Sequence, residues 1–223
     1  MLHVIEIFNS IQGEGRHAGI PCAFVRLARC NLRCGYCDTP HSFGAGDPVS
    51  EDDLLAQVNA FGVNHVCVTG GEPMLHGETA ISLMQAFVDL NYTVILETNG
   101  VIPLDKVPHE VIKVVDIKTP DGLTLAGSSE SFLKRHLHYP NLNLLNPYDE
   151  LKFVLCSRAD YDWAKKFIEQ HALQEQCEKI LFSPSWNDLD PKELVQWILD
   201  DQLAVRLNLQ LHKYIWGPEV QGV

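Results

Sequence analysis

The sequence predicts an α/β fold with a largely parallel sheet, and two observations carry this prediction. Short apolar runs alternate along the chain with segments of helical period, which is the pattern of repeated strand–helix–strand units. Most of the apolar runs end in a polar or glycine-rich turn, such as Thr69-Gly70-Gly71-Glu72-Pro73. Because no repeat, linker or low-complexity tract interrupts the alternation, we predict a single domain over residues 1–223.

The predicted strands are short apolar runs, many of them rich in β-branched residues. The first runs from His3 to Phe8, near the N-terminus. The others are Cys22 to Leu27, His65 to Thr69, Tyr92 to Glu97, Val111 to Ile117, Leu151 to Cys156, Lys179 to Phe182 and Ala204 to Leu209. Since ligands collect at the carboxyl ends of the strands in parallel α/β folds, we expect the turns after these strands to form one functional face.

The predicted helices lie between the strands and several begin at recognisable caps. Ser50 precedes three acidic residues, which predicts a helix that ends near Gly62. Apolar residues at three- and four-residue spacing predict helices over Glu78 to Leu90 and Asp160 to His171. Asp190-Pro191 begins another helix with proline in its first turn.

Composition narrows the class of partner. The chain carries 29 acidic and 17 basic residues, a formal net charge of −12, which argues against a nucleic-acid-binding surface. A hydrophobic content of 46% suffices for a substantial core. No run approaches the roughly 18 uncharged apolar residues of a membrane span. We therefore expect a cytoplasmic protein that acts on a small molecule and binds neither nucleic acid nor membrane.

Three of the seven cysteines, Cys30, Cys34 and Cys37, are spaced C-x3-C-x2-C. Iron–sulfur clusters are normally held by four cysteine thiolates, so three of them predict a cubane cluster with one iron open to another ligand. Zinc is the alternative, with His41 as its fourth ligand, although this spacing is uncommon for zinc. The remaining cysteines stand alone and are predicted to be structural thiols: Cys22, Cys67, Cys156 and Cys177.

The cysteine triad together with Gly70-Gly71-Glu72-Pro73 resembles the radical S-adenosylmethionine (SAM) superfamily. The resemblance implies a 4Fe-4S cluster on the three cysteines, whose free iron binds the amino and carboxylate groups of SAM. Reduction then cleaves SAM to a 5′-deoxyadenosyl radical, chemistry that belongs to the cofactor while the protein supplies placement. The implied fold is an incomplete (β/α)6 TIM-like barrel of the radical SAM type, because a full eight-unit barrel needs about 250 residues.

Within that superfamily the chain is similar to the family of 7-carboxy-7-deazaguanine synthases. The matching segments are Glu6-Ile7-Phe8-Asn9-Ser10-Ile11-Gln12-Gly13-Glu14-Gly15, Gly19-Ile20-Pro21, Phe24-Val25-Arg26-Leu27, Cys37-Asp38-Thr39 and Gln210-Leu211-His212-Lys213-Tyr214. The family converts 6-carboxy-5,6,7,8-tetrahydropterin to 7-carboxy-7-deazaguanine with loss of ammonia, a lyase reaction toward queuosine and other 7-deazapurines. The resemblance also implies Mg²⁺, an electron donor such as flavodoxin or ferredoxin, and a homodimer.

The resemblance assigns seven residues to the pterin substrate: Ile11, Gln12, Gly13, Glu14, Arg26, Thr69 and His212. The chemistry of two of them agrees with this assignment. Arg26 interrupts an apolar strand, and a guanidinium can hold the substrate carboxylate through two hydrogen bonds. Glu14 can accept paired hydrogen bonds from the aminopyrimidinone edge of a pterin. The resemblance implies no contact for the segment Trp216 to Val223, and it implies no side chain as a catalytic acid or base.

The residues that the resemblance assigns to SAM and Mg²⁺ lie in turns. Those for SAM are Tyr36, Cys37, Asp38, Gly71, Glu72, Asp116, Ile117, Lys118, Ser183, Pro184, Ser185 and Trp186. Gly70 and Gly71 lack side chains, so backbone groups there could approach the methionine end of the cofactor. Thr39 is the implied ligand of Mg²⁺, which prefers oxygen atoms. The turns at Asp116 and Ser183 differ from the commoner versions in the family.

Two other functions stay open on the sequence alone. The first is another radical SAM enzyme, such as a glycyl-radical activase, which would act on a protein and should lack Gln12-Gly13-Glu14 and Arg26. The second is a noncatalytic zinc or iron–sulfur module. Iron content and SAM-dependent chemistry would separate these readings from the pterin-converting enzyme.

Overall fold

The computed structural model describes residues 1–123, 137–176 and 180–223. Two features of the sequence prediction, Cys177 and the start of a strand at Lys179, lie outside the described residues. Along the described parts of the chain, no helix is both long enough and apolar enough to cross a membrane.

One sheet organises the described chain. Its strands are β1 (Leu2–Ile11), β2 (Pro21–Leu27), β3 (Asp47–Val49), β4 (His65–Gly70), β5 (Thr93–Thr98), β6 (Ile112–Asp116), β7 (Glu150–Leu155), β8 (Ile180–Pro184) and β9 (Arg206–Leu207). The order in the sheet is β3-β1-β2-β4-β5-β6-β7-β8-β9. Neighbours from β2 to β9 pair in parallel, whereas β1 pairs antiparallel with both β2 and β3.

Helices follow most of the parallel strands. They are α1 (Glu51–Ala60), α2 (Glu78–Asp89), α3 (Arg158–Gln170), α4 (Leu173–Gln176), α5 (Pro191–Asp200) and α6 (Leu211–Ile215). As predicted, Ser50 caps α1 by accepting a hydrogen bond from the Asp53 N–H, and Asp190 caps α5 by accepting one from the Lys192 N–H. Each cap satisfies an N–H group that would otherwise have no partner at the first turn.

The observed elements agree with the predicted ones except at short segments. β1 extends to Ile11, beyond the predicted end at Phe8, and β9 covers only Arg206–Leu207. Three elements were not predicted: β3, α4 and α6. Each of these is at most five residues long, too short for a hydrophobic period to be read from the sequence.

The sheet has a large core on one face and a small apolar cluster on the other. Successive strand residues face opposite sides, so Val66 and Val68 pack in the large core with the helices while Cys67 lies in the small cluster. The small cluster consists of Cys22, Phe24, Cys67, Ile95 and Val114. Since β3 and β9 are the edges of the sheet, the barrel is open, and the prediction of an incomplete α/β barrel is confirmed.

Candidate functional site

A cavity of about 220 Å³ lies at the carboxyl ends of the parallel strands. The sequence-predicted site residues that line it are Ile11, Gln12, Gly13, Glu14, Arg26, Cys30, Cys34, Tyr36, Cys37, Asp38, Thr39, Thr69, Gly71, Asp116, Lys118, Ser185, Trp186 and His212. Those that do not line it are Glu72, Ile117, Ser183 and Pro184. Phe24 and Val114, from the small apolar cluster, also contribute to the lining.

The loop that carries the cysteine triad (residues 30–37, the cysteine loop) follows β2, as predicted. Cys30, Cys34 and Cys37 are half-buried, and all three line the cavity. Burial raises the pKa of the Cys34 thiol to about 11, and the other two cysteines lie close enough to contribute to this rise. Among the described residues, no three His, Cys, Asp or Glu side chains are grouped to hold a single metal ion. Three thiols that line one cavity suit ligation by the irons of a cluster, which deprotonates them.

The glycine turn after β4 packs directly against the start of the cysteine loop. The Gly71 N–H donates to the Leu27 carbonyl oxygen at 3.0 Å, and the Glu72 N–H donates to the Arg29 carbonyl oxygen at 2.8 Å. A Cβ added at Gly71 would overlap the Arg29 carbonyl oxygen and approach Cys30. The close approach of two backbones therefore requires glycine here, while the predicted contact of Gly71 with SAM stays a prediction.

Glu72 points away from the cavity. Its side chain is 0% exposed. One carboxylate oxygen accepts hydrogen bonds from the Met74 N–H at 3.0 Å and the Thr98 hydroxyl at 2.8 Å, and the other accepts from the Asn99 N–H at 2.7 Å. The carboxylate thus joins the turn after β4 to the turn after β5.

Tyr36 lies between the cysteine loop and the turn after β6. The Lys118 ammonium is 5.2 Å from the centroid of its ring, and the Gly35 N–H donates to the Gly122 carbonyl oxygen at 2.9 Å. Lys118 is paired with Asp116 at 2.9 Å. The other carboxylate oxygen of Asp116, Oδ1, is buried and has no hydrogen-bond partner among the described residues. A buried acceptor without a partner at a cavity wall suits a ligand that carries donors, such as the amino and hydroxyl groups of SAM.

Arg26 lies on the inner face of the sheet beside Glu6, which is its partner in the register of β1 and β2. Its Nε donates to the Glu6 carboxylate at 2.6 Å, and its guanidinium lies 5.7 Å from the centroid of the Phe8 ring. Thr69 is the neighbour of Arg26 on β4, and its hydroxyl donates to Glu97 at 3.2 Å. The Nε–Glu6 bond restrains the guanidinium, and Arg26 lines the cavity.

Glu14 is held by three donors. Its Oε2 accepts from the Lys152 ammonium at 3.0 Å and the Asn208 amide at 3.1 Å, and its Oε1 accepts from the Gln210 amide at 3.1 Å. Burial would raise the pKa of Glu14, but Lys152, His212 and Gln210 lower it overall. A carboxylate offers about four lone-pair sites, and three of those of Glu14 are used by these donors, while its predicted contact with the pterin stays a prediction.

Beside Glu14, the segment that contains Gly13 meets the segment that contains Leu211 and His212. The His212 ring packs against Gly13, where an added Cβ would collide with it, and the Leu211 N–H donates to the Gly13 carbonyl oxygen at 3.0 Å. Lys213 pairs with Asp38 at 3.0 Å. Burial would raise the pKa of Asp38, but Lys213, His212 and Lys152 lower it to about 2. The QGE segment (Gln12-Gly13-Glu14), Asp38 directly after the cysteine loop, and α6 are therefore joined around one wall of the cavity.

The remaining predicted residues fall into two groups. The Thr39 hydroxyl lies 4.0 Å from the Cys37 sulfur and 3.4 Å from the Asp38 carboxylate, so an oxygen donor stands beside the cysteine loop. Ser185 and Trp186 reach the cavity. Three residues do not: Ile117 packs in the large core, the Ser183 hydroxyl accepts from the Asn208 amide, and Pro184 ends β8.

Several cavity residues were missed by the sequence prediction, chiefly Glu6, Glu97, Lys152 and Gln210. Lys152 carried a readable signal, since it interrupts an apolar strand as Arg26 does. The C-terminal segment was also missed: Pro218 and the residues from Val220 to Val223 line the cavity, although no contact was predicted for them. No motif in that segment indicated this position.

Comparisons with known proteins show the family to which the chain belongs. The profile of the Radical SAM superfamily matches residues 25–198. The chain is 41% identical over 235 residues to the 7-carboxy-7-deazaguanine synthase of Koribacter versatilis strain Ellin345, with 100% of both chains covered. It is 42% identical over 222 residues to the synthase of the same name from Chlorobaculum tepidum, covering 100% of this chain and 97% of the relative.

Among solved structures, the fold is similar to the crystal structure of QueE from Escherichia coli. The TM-score is 0.70 at 20% sequence identity, and the match covers 95% of this chain and 94% of that one. This likeness concerns the fold, whereas the full-length sequence matches concern the family. The chain belongs to the 7-carboxy-7-deazaguanine synthase family of the radical SAM superfamily.

Proposed function

We propose that this chain is a lyase that converts 6-carboxy-5,6,7,8-tetrahydropterin to 7-carboxy-7-deazaguanine with loss of ammonia. The reaction is a step in the biosynthesis of queuosine and other 7-deazapurines. It uses a 4Fe-4S cluster, SAM and Mg²⁺, as its family does. The full-length match to named synthases favours this reaction over that of a glycyl-radical activase or a noncatalytic metal module.

A single observation carries the proposal. One cavity is lined both by the three cysteines and by the residues assigned to the pterin, including Gln12, Glu14 and Arg26. A radical generated at a cluster must reach its substrate directly, so the two sets of residues have to share one enclosed space. Their common cavity supports a small-molecule substrate rather than a protein substrate.

The residues of this chain supply binding and orientation. When bound, the cluster and SAM supply the radical that removes a hydrogen atom from the substrate. Arg26 holds the substrate carboxylate with the guanidinium edge that Glu6 leaves open. Glu14, kept ionised by Lys152, accepts one N–H of the pterin through Oε1. Thr39 offers its hydroxyl to Mg²⁺, which keeps water and substrate oxygens as its other ligands.

The wider setting follows from the same proposal. The chain acts as a single domain in the cytoplasm, as a homodimer, and receives electrons from a flavodoxin or ferredoxin. The acidic net charge of −12 argues against nucleic acid as a further partner. Gel filtration with light scattering tests the dimer, and reduction of the cluster by each candidate donor tests the electron source.

The decisive assay uses anaerobically reconstituted protein. Incubation with SAM, reductant, Mg²⁺ and 6-carboxytetrahydropterin should give 7-carboxy-7-deazaguanine, identified by its chromophore and mass. The Cys34→Ala variant is the matched control and should give no product. Cleavage of SAM without the deazapurine would indicate a different radical reaction. A colourless protein that contains zinc and no iron would refute radical chemistry altogether.

A further inference from the structure

Lys152 is a buried cation that lines the cavity, and it was not among the residues assigned to a ligand. It lies in the middle of β7, a strand whose six residues are all buried, and it is 6% exposed. Leu151 and Phe153 on either side pack in the large core, so the alternation of the strand turns Lys152 to the inner face. A buried lysine is costly unless it is paired.

Lys152 is paired with carboxylates that come from different parts of the chain. Its ammonium lies 3.0 Å from Glu14, in the loop after β1, and 3.6 Å from Asp116, its register partner on β6. Burial would lower the pKa of Lys152, but Glu14, Asp116 and Glu97 together raise it well above its ordinary range. The ammonium is therefore charged at every working pH.

The two carboxylates lead to the two halves of the site. Glu14 faces the region assigned to the substrate, together with His212 and the Gln210 amide. Asp116 also pairs with Lys118, which lies over the Tyr36 ring beside the cysteine loop. Lys152 thus stands between the substrate half and the cofactor half.

We propose that Lys152 is a positioning residue that holds Glu14 as an ionised hydrogen-bond acceptor for the substrate while it anchors Asp116 for the cofactor. This inference rests on the proposed function for the identity of the two ligands. Without Lys152, Glu14 would lose its cationic partner, whereas Asp116 would keep Lys118 at 2.9 Å. Loss of a cation at hydrogen-bond distance from a buried carboxylate disfavours ionisation, so the pKa of Glu14 should rise, and its protonated form would donate where an acceptor is needed.

The test compares Lys152→Met, which removes the charge, with Lys152→Arg, which keeps it. Lys113→Met is the matched structural control, because Lys113 is also a buried lysine, 4% exposed, on the neighbouring strand β6. It is paired with Asp149 at 3.1 Å and does not line the cavity. Should Lys152→Met fail to fold, Lys152→Gln replaces it and retains a donor toward Glu14 without the charge.

Two measurements decide the proposal. Infrared spectra are recorded across a pH titration in the absence of any ligand, and the spectra of the matching Glu14→Gln protein are subtracted. The difference reports the protonation of Glu14. Calorimetry and kinetics report the affinities for 6-carboxytetrahydropterin and SAM, and KM separately from kcat. In Lys152→Met, Glu14 should titrate at higher pH than in the unmodified chain. KM for the pterin should rise about tenfold for each pH unit by which the pKa of Glu14 exceeds the assay pH, and should recover as the pH is raised.

The outcomes separate this inference from the proposed function. Lys152→Arg should restore the titration and the affinities, and Lys113→Met should lower thermal stability while leaving both unchanged. An unchanged Glu14 titration in Lys152→Met would overturn the inference. A shift of the Glu14 titration in Lys113→Met like the one expected for Lys152→Met would overturn it too. If the unmodified chain forms no deazapurine, the proposed function fails, whereas the infrared titration still decides whether Lys152 controls Glu14.

Discussion

Replacement of Glu72 by alanine tests whether this residue supports the fold or contacts the cofactor. The GGEP turn predicts a contact with SAM, whereas the structure turns the carboxylate inward onto three donors, the Met74 and Asn99 N–H groups and the Thr98 hydroxyl. Glu72→Ala leaves all three donors buried without an acceptor. We therefore expect a loss of stability, and only an indirect effect on SAM affinity.

The magnitude follows from the hydrogen bonds that are lost. Each bond to a charged acceptor contributes about 1.5–3 kcal/mol, and the loss is less than additive because the cost of burying the carboxylate is also removed. We expect a decrease of about 3–5 kcal/mol in the free energy of unfolding. At roughly 2–4 °C per kcal/mol for a chain of this size, Tm should fall by about 6–20 °C.

The assay is urea and thermal unfolding of cluster-free protein, followed by circular dichroism, with SAM binding measured separately on reconstituted protein. Glu78→Ala is the control, because Glu78 is 73% exposed on α2 and pairs only at the surface with Lys106. Its replacement should cost less than about 1 kcal/mol. An unaltered Tm in Glu72→Ala together with a tenfold or greater loss of SAM affinity would refute the structural role.

The pH dependence of Glu72→Gln gives a second check on the same residue. Burial raises the pKa of Glu72, although its hydrogen bonds oppose the rise. Between its ordinary pKa and this raised pKa the folded protein keeps a proton that the unfolded chain has released, so the stabilisation is complete at low pH and is lost as the pH rises through the raised pKa. Glutamine does not titrate, and the destabilisation by Glu72→Gln should therefore be larger near pH 4 than near pH 8. A difference that grows with pH would contradict this reasoning.

Three further substitutions test other parts of the site. Cys34→Ala should abolish cluster binding, so the iron content should fall from about four irons per chain to almost none. Iron retained in this variant would show that Cys34 is not a cluster ligand. Arg26→Gln should raise the KM for the carboxylated pterin by roughly 10- to 100-fold without weakening SAM binding in calorimetry, and equal losses for both ligands would argue against a specific carboxylate contact. Asp160→Ala removes the acceptor of the Thr119 hydroxyl and of the Asp121 and Cys156 N–H groups. It should cost about 2–4 kcal/mol in urea unfolding, whereas a neutral result would show that water replaces the carboxylate.

The fold was predictable because strands buried on both faces leave continuous apolar runs in the sequence. The predicted strand Cys22 to Leu27 differs from the observed β2 by one residue. The antiparallel β3 was not predictable, since it contains only three residues and one of them is Pro48. It forms because it pairs with β1, where Leu2 lies opposite Val49. Tertiary pairing, rather than local pattern, decides such short elements.

The cysteine loop and the QGE segment were predictable because each is a local pattern. The ion pairs around Lys152 were not predictable, because their members come from distant parts of the chain: Glu14 and Lys152 are 138 residues apart. Which residues become neighbours depends on the register of the sheet, and the register between parallel strands cannot be read from any single segment of the sequence. The orientation of Glu72 was not predictable for a related reason. Its partners Thr98 and Asn99 lie at the end of β5, whereas Glu72 follows β4.

The charge pattern of the cavity explains how an acidic chain can accept an anionic substrate. Five carboxylates and four cations line the described cavity: Glu6, Glu14, Asp38, Glu97, Asp116, Arg26, Lys118, Lys152 and Lys213. Each of the five carboxylates except Glu97 pairs with one of these cations at 3.0 Å or less. The cavity is therefore almost neutral although the chain carries −12, and surface charges more than about 8 Å away are screened at physiological salt. A carboxylated pterin would therefore meet paired charges instead of strong net repulsion, and we propose that the Arg26 guanidinium binds its carboxylate.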